Sequence, residues 1–230
     1  MHYSYYLTNI TMLHLKHPFT AVVSGPSGCG KSRFCLRLIK NSSSMIHPPP
    51  KKIYWHYGIY QSGFNSSEYK SVEFHEGLPN LEQVSGNSTP ENSVAASFDR
   101  EPILLVLDDL MSEVDDSVAQ IFTRGSHHLN VSILYITQNL FQQNKHSRTI
   151  NLNSHYIVLF KNPRDVTQIS YLGRQMYPKK STFLVDAFKD ATSKAYGYLF
   201  LDLKADTDEQ LRVRTSIFPD DKWHYVYVPR

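Results

Sequence analysis

The sequence predicts an α/β fold with a largely parallel central sheet flanked by helices. Three observations predict it. The run Gly25-Pro26-Ser27-Gly28-Cys29-Gly30-Lys31-Ser32 reads G-x-x-x-x-G-K-S, and it lies between an apolar, β-branched stretch and a stretch of helical composition. A second apolar run, Ile103-Leu104-Leu105-Val106-Leu107, ends in Asp108-Asp109, as expected of a strand buried on both faces of a parallel sheet. Strand-like and helix-like segments then alternate through most of the 230 residues, the pattern of a sheet built by crossovers.

Taken in order, residues 19–24 form the first buried strand, and 33–40 a helix with Phe34, Leu36, Leu38 and Ile39 apolar. Asn41-Ser42-Ser43-Ser44 and Pro48-Pro49-Pro50 favour a loop. Strands are expected over 52–57 and 73–76, and a mobile surface loop over about 85–99, where small polar residues dominate. The acidic strand 103–107 is followed by a helix over 115–123, a buried strand over 131–136 ending in Thr137-Gln138-Asn139, and a strand over 155–160. Helices are expected over 165–175 and 182–191, and strands over 198–201, 213–218 and 223–228. The chain reads as one domain, with its core at about 18–205 and C-terminal strands at about 196–228.

Composition narrows the class. A hydrophobic content of 41% with 20% charged residues is that of an ordinary globular chain, and no apolar run approaches the length of a membrane span, so no membrane partner is expected. A net charge of +3 tolerates a nucleic-acid partner without requiring one. Cys29 and Cys35 lie close together around one helix start, which argues against a disulfide framework and for a reducing, intracellular setting.

The first motif carries phosphate chemistry. Its glycines let backbone N–H groups turn inward around phosphate oxygens, and a helix N-terminus adds partial positive charge. Gly25, Pro26, Ser27, Gly28, Cys29 and Gly30 would form the cradle for ATP, Lys31 would reach the β- and γ-phosphates, and Ser32 would hold Mg²⁺. The alternative for Cys29 is chemical: the helix N-terminus and Lys31 could favour its thiolate. A phosphate-binding loop requires a second, acidic element, and Asp108 is assigned to Mg²⁺ and Asp109 to the attacking water. Many ATPases use the longer Glu at the second position. Gln138, at the end of the next buried strand, can hydrogen-bond both γ-phosphate and water, with Thr137 and Asn139 as alternatives. The strand at 53–57, between the loop helix and the acidic strand in the chain, suggests an extra strand separating those two elements in the sheet, as in RecA-like (ASCE) P-loop NTPases. His127-His128 lacks companion ligands at metal spacing and reads as structural. Tyr54, Trp55, Tyr57, Tyr60 and Phe64 could stack on bases, although strand burial explains most of them.

Together, Gly25 to Ser32, Leu104-Leu105-Val106-Leu107-Asp108-Asp109-Leu110-Met111 and Ile136-Thr137-Gln138-Asn139-Leu140-Phe141 resemble the FtsK/HerA-type DNA-packaging ATPases. The likeness is greatest to those of Polinton (Maverick) elements and adintovirus-like viruses, with poxvirus-type packaging ATPases more distant. Gly125-Ser126-His127-His128, the block from Tyr156 to Asp165 and Tyr196-Gly197-Tyr198-Leu199 also resemble that group. Asp109 departs from the Asp-Glu pair of many members. The resemblance implies a homo-oligomeric ring that hydrolyses ATP with Mg²⁺, acts on double-stranded DNA, docks on a capsid or portal protein, and works in a host nucleus or viral assembly site. It implies an arginine supplied by a neighbouring subunit, with Arg124 preferred over Arg148 and Arg164. Lys145, His146 and Arg148, read as a loop, and Lys179-Lys180 are candidate DNA contacts. The alternatives are a RecA-like or AAA+ helicase or remodelling ATPase, and a non-catalytic nucleotide-binding scaffold of a decayed mobile element.

Overall fold

The structure, a computed structural model, describes residues 3–7, 14–60, 69–79, 101–110, 122, 129–140, 145–164 and 166–230, with backbone alone at 3–7 and 145–147. The loop expected at 85–99, most of the helix expected at 115–123, Arg124, and the Gly125 to His128 run lie outside these residues.

The strands are β1 (Tyr3–Leu7), β2 (Leu15–Lys16), β3 (Thr20–Ser24), β4 (Ile46–His47), β5 (Lys52–Tyr57), β6 (Val72–Glu76), β7 (Ile103–Asp108), β8 (Val131–Thr137), β9 (Tyr156–Phe160), β10 (Tyr198–Asp202), β11 (Val213–Thr215) and β12 (Tyr225–Pro229). The described helices are α1 (Lys31–Lys40), α2 (Ser42–Met45), α3 (Lys145–Leu152), α4 (Val166–Met176) and α5 (Thr182–Ala191). Among the described residues, ten strands form one sheet in the order β1-β12-β11-β10-β9-β3-β8-β7-β5-β6. From β9 to β6 every pairing is parallel, and from β9 to β1 every pairing is antiparallel. The expected parallel sheet is therefore present and is extended on one side by a meander.

Strand periodicity divides the core into two layers. On β7, Leu105 and Leu107 face a core shared with Ile169 and Leu172 of α4 and with Phe183, Leu184 and Phe188 of α5. Leu104 and Val106 face the opposite core, shared with Phe34, Cys35, Leu38 and Ile39 of α1. Both faces of the central strands are covered, which is why these strands read as unbroken apolar runs. The exposed edge strand β6 carries Glu73, His75 and Glu76 on its surface, a charged rim that discourages pairing with another chain.

Four expectations are corrected. One strand does separate β3 from β7, but it is β8; the strand at 53–57 is β5 and lies on the far side of β7. The segment expected as a loop after α1 contains α2 and β4, because Met45 and Ile46 are apolar anchors buried in the α1 layer and β4 pairs with β2. Lys145, His146 and Arg148 belong to helix α3, not to a loop; Ile150 supplies its buried anchor. The strand expected over 213–218 ends at Thr215, since Ser216 adopts a left-handed backbone (φ 54°) that no strand continues through.

Candidate phosphate-binding and hydrolytic site

The loop between β3 and α1 is shaped by its glycines. A side chain at Gly25 would place its Cβ 2.7 Å from both Cys29 Sγ and Phe160 Cβ, so only glycine fits between the loop and β9. Gly30 caps α1 in the left-handed region (φ 106°), which turns the chain from loop into helix. Lys31 Nζ donates to the carbonyls of Gly25 (2.7 Å) and Pro26 (3.0 Å), so the ammonium is held inside the loop by the loop's own backbone.

Period two along β7 brings the acidic element beneath the loop. Leu104, Val106 and Asp108 share one face, the face covered by α1. Ser32, in the first turn of α1, donates its hydroxyl to Asp108 Oδ2 at 3.2 Å. Asp108 is 4% exposed. Burial pushes its carboxyl up to about 6, aided by the nearby Asp109 charge and opposed by the Ser32 hydrogen bond and by Lys31. Ser32 and Asp108 thus converge two hard oxygen donors on one point beside the loop, a donor set that fits Mg²⁺. Among the described residues, no cluster of three or more His, Cys, Asp or Glu side chains offers a metal site elsewhere.

Asp109 follows in a left-handed backbone (φ 55°), a conformation that costs a non-glycine residue roughly 1 kcal/mol or more. The conformation turns its side chain away from the strand direction and toward the end of β8. There Gln138 Nε2 donates to both Asp109 oxygens, each at 3.2 Å. Gln138 is exposed and Asp109 partly so. The Asp108-Asp109 turn rests on Gly58, whose N–H donates to the Asp108 carbonyl at 3.0 Å. A Cβ on Gly58 would lie 2.9 Å from the Asp109 carbonyl oxygen, so the turn can approach only a glycine there.

Ser27, Gly28, Gly30, Lys31, Ser32, Asp108, Asp109 and Gln138 line one cleft of about 350 Å³. Of the residues assigned from sequence to phosphate, metal and water, these eight are thereby brought together; Gly25, Pro26 and Cys29 belong to the loop but do not line the cleft, and Arg124 lies outside the described residues. Thr137 is buried beneath the cleft with its hydroxyl donating to the Asn139 carbonyl at 3.2 Å, so Gln138 and not Thr137 faces it. Arg148 and Arg164 are exposed and do not line the cleft. Burial raises the Cys29 pKa, and the opposing pull of Lys31 is smaller, so the loop does not favour its thiolate. Of the aromatics, Trp55 is fully buried and Tyr54 and Tyr57 partly so, as strand packing requires; Tyr60 is exposed, and Phe64 lies outside the described residues. Sequence reasoning missed Gly58, Ile59 and Arg33. Arg33 and Ile59 line the same cleft, and Ile59 is 70% exposed. A lone glycine directly after the apolar strand 52–57 was the available signal.

No protein-family model and no curated protein matches this sequence. Among solved structures, the chain is similar to the genome packaging NTPase B204 from Sulfolobus turreted icosahedral virus 2, in complexes with ATPγS and with AMPPCP. Identity is 14%, the alignment covers 86% of this chain and 96% of B204, and the TM-score is 0.50. The fold is that of the P-loop ATPases. The chain is also similar to the cytoplasmic domain of the Type VII secretion ATPase EccC from Thermomonospora curvata, at 14% identity and TM-score 0.50, covering 91% of this chain and 25% of that one.

Proposed function

We propose that this chain is an ATP-hydrolysing motor that translocates double-stranded DNA into a viral capsid, of the FtsK/HerA type carried by Polinton-like elements and related viruses. The observation that carries the reading is the cleft in which the phosphate loop, the Ser32–Asp108 pair and the Gln138–Asp109 pair converge. A fold similar to a viral genome packaging NTPase over 96% of that protein's length supports it. In this reading the loop amides and Lys31 bind the β- and γ-phosphates. Ser32 and Asp108 hold Mg²⁺, which when bound neutralises charge on the phosphate oxygens. Asp109 takes the proton of the attacking water, and Gln138 holds that carboxylate and the water in line. Chains assemble into a ring in which a neighbour's arginine, Arg124 by preference, completes each site. DNA is gripped by sequence-blind phosphate contacts, for which α3 and Lys179-Lys180 are the candidates, and a capsid or portal protein seats the ring.

The test is the ATPase rate of the purified chain with and without linear double-stranded DNA, with Lys31→Ala as the blank. DNA-stimulated hydrolysis that Lys31→Ala abolishes is the expected result. Hydrolysis indifferent to DNA favours a remodelling ATPase, and nucleotide binding without turnover favours a scaffold.

A further inference from the structure

Across the loop from the acidic cleft stands an aromatic side chain that the site as described does not use. Tyr196 lies in the turn between α5 and β10. A Cβ built on Gly30, the residue that caps α1, would lie 3.2 Å from Tyr196 Cδ1 and 3.7 Å from its Cβ. Tyr196 thus packs against the phosphate loop itself, yet it is 66% exposed and adopts a left-handed backbone (φ 61°), unusual for an aromatic residue. The turn holds it there. Gly197 N–H donates to the Lys194 carbonyl, and any side chain at Gly197 would place a Cβ 2.4 Å from the Ala191 carbonyl oxygen. Tyr198, the next residue, is buried against Phe34 with ring centroids 4.9 Å apart. A cavity of about 420 Å³ opens beside Tyr196, between Arg37 of α1 and the end of α5 at Asp190 and Ala191.

Strand order decides which end of a nucleotide this place can serve. Asp108 and Gln138 end β7 and β8, on one side of β3; Tyr196 precedes β10, on the other side, beyond β9. The hydrolysed phosphate must lie at the carboxylates. The phosphate chain runs along the loop and the start of α1, so the nucleoside leaves on the opposite flank. We infer that Tyr196 is the platform on which the base of the nucleoside triphosphate stacks, with the neighbouring cavity taking the nucleoside. This rests on the nucleotide-binding reading above. An exposed ring next to the phosphate loop, carried on a turn whose backbone Gly197 holds, offers a π-face to any base at little backbone-ordering cost.

The test is equilibrium binding, by calorimetry with Mg²⁺, of ATP and of inorganic triphosphate to the wild type, Tyr196→Ala, Tyr196→Asn, Tyr196→Phe and Lys31→Ala. Asparagine tolerates the left-handed backbone, so Tyr196→Asn separates loss of the ring from strain in the turn. The expected result is that Tyr196→Ala and Tyr196→Asn weaken ATP about tenfold and leave triphosphate unchanged. Tyr196→Phe matches the wild type with both ligands, and Lys31→Ala loses both. Wild-type ATP affinity in Tyr196→Asn overturns the inference, and so does equal loss of ATP and triphosphate. Undiminished binding of both ligands by Lys31→Ala, or binding of neither by the wild type, overturns the phosphate-loop reading and the platform with it.

Discussion

Asp108 is held between two demands. It is buried under Ser32, and in the proposed mechanism it must be ionised to hold a divalent cation. Its carboxyl is raised from 3.8 to about 6, chiefly by burial. The folded chain therefore binds a proton in that interval that the unfolded chain has released. The associated stability is full below the unfolded value and is lost as pH rises through about 6. Asp108→Asn keeps an acceptor for Ser32 and removes the buried charge. Thermal melts without divalent cations should show the Asp108→Asn variant more stable than wild type at pH 8, by on the order of 2 kcal/mol, with the gain vanishing near pH 4. A gain independent of pH would show that ionisation is not its source. At the Asp109–Gln138 pair the prediction is kinetic. Asp109→Asn and Gln138→Ala should lower hydrolysis by roughly 10² or more while ATP affinity changes far less, because the loop amides and Lys31, not these two side chains, carry most of the phosphate binding. Single-turnover rates alongside binding isotherms check it. These residues were legible because each ends an apolar strand, and strand ends of a parallel sheet gather at one edge. Gly58 and Ile59 were not, because they join the cleft through a neighbouring strand whose position the chain order does not reveal.

At the scale of elements, α1 is both the wall of one core layer and the support of the phosphate loop. Phe34 fixes it, with ring centroids 4.9 Å from Tyr198, 5.1 Å from Phe218 and 6.1 Å from Phe160. Arg37, one turn on, donates to Asp220 and Asp221 and lies over the Phe218 ring. Strand β10 and the connection between β11 and β12 therefore clamp the helix that carries Lys31 and Ser32. Phe34→Ala should cost about 3–5 kcal/mol in urea unfolding and weaken nucleotide binding as well, since the loop's anchor is lost with the core contact. Loss of stability with unchanged ATP affinity would uncouple the two roles. The long apolar strands were legible because burial on both faces removes polar residues from them. Their order in the sheet was not, because crossovers and not sequence order place β8 between β3 and β7. Short elements such as α2 and β4 were hidden for another reason: two buried anchors, Met45 and Ile46, outweigh a serine-rich local preference.

At the scale of the whole molecule, the described rim of the cleft is accessible to solvent. Gln138 is exposed, Ile59 stands 70% exposed at its rim, and among the described arginines only Arg33 lines it. A γ-phosphate in flight needs a cation positioned on its far side, and an arginine there is worth about 10³ or more in rate. If the proposed ring supplies that arginine from the next chain, then two differently crippled chains should repair one another. Lys31→Ala destroys a chain's own phosphate site but leaves its arginine free to serve a neighbour; Arg124→Ala does the reverse. Each variant alone should be nearly inactive. An equimolar mixture should recover a sizeable fraction of wild-type hydrolysis, and recovery should fall on dilution as the assembly dissociates. If Arg148→Ala or Arg164→Ala, and not Arg124→Ala, is the variant that is inactive alone and repaired by Lys31→Ala, the finger moves to that residue. A wild-type rate per chain that is independent of protein concentration, together with no recovery in any mixture, would mean that each chain hydrolyses alone and would remove the ring from the mechanism.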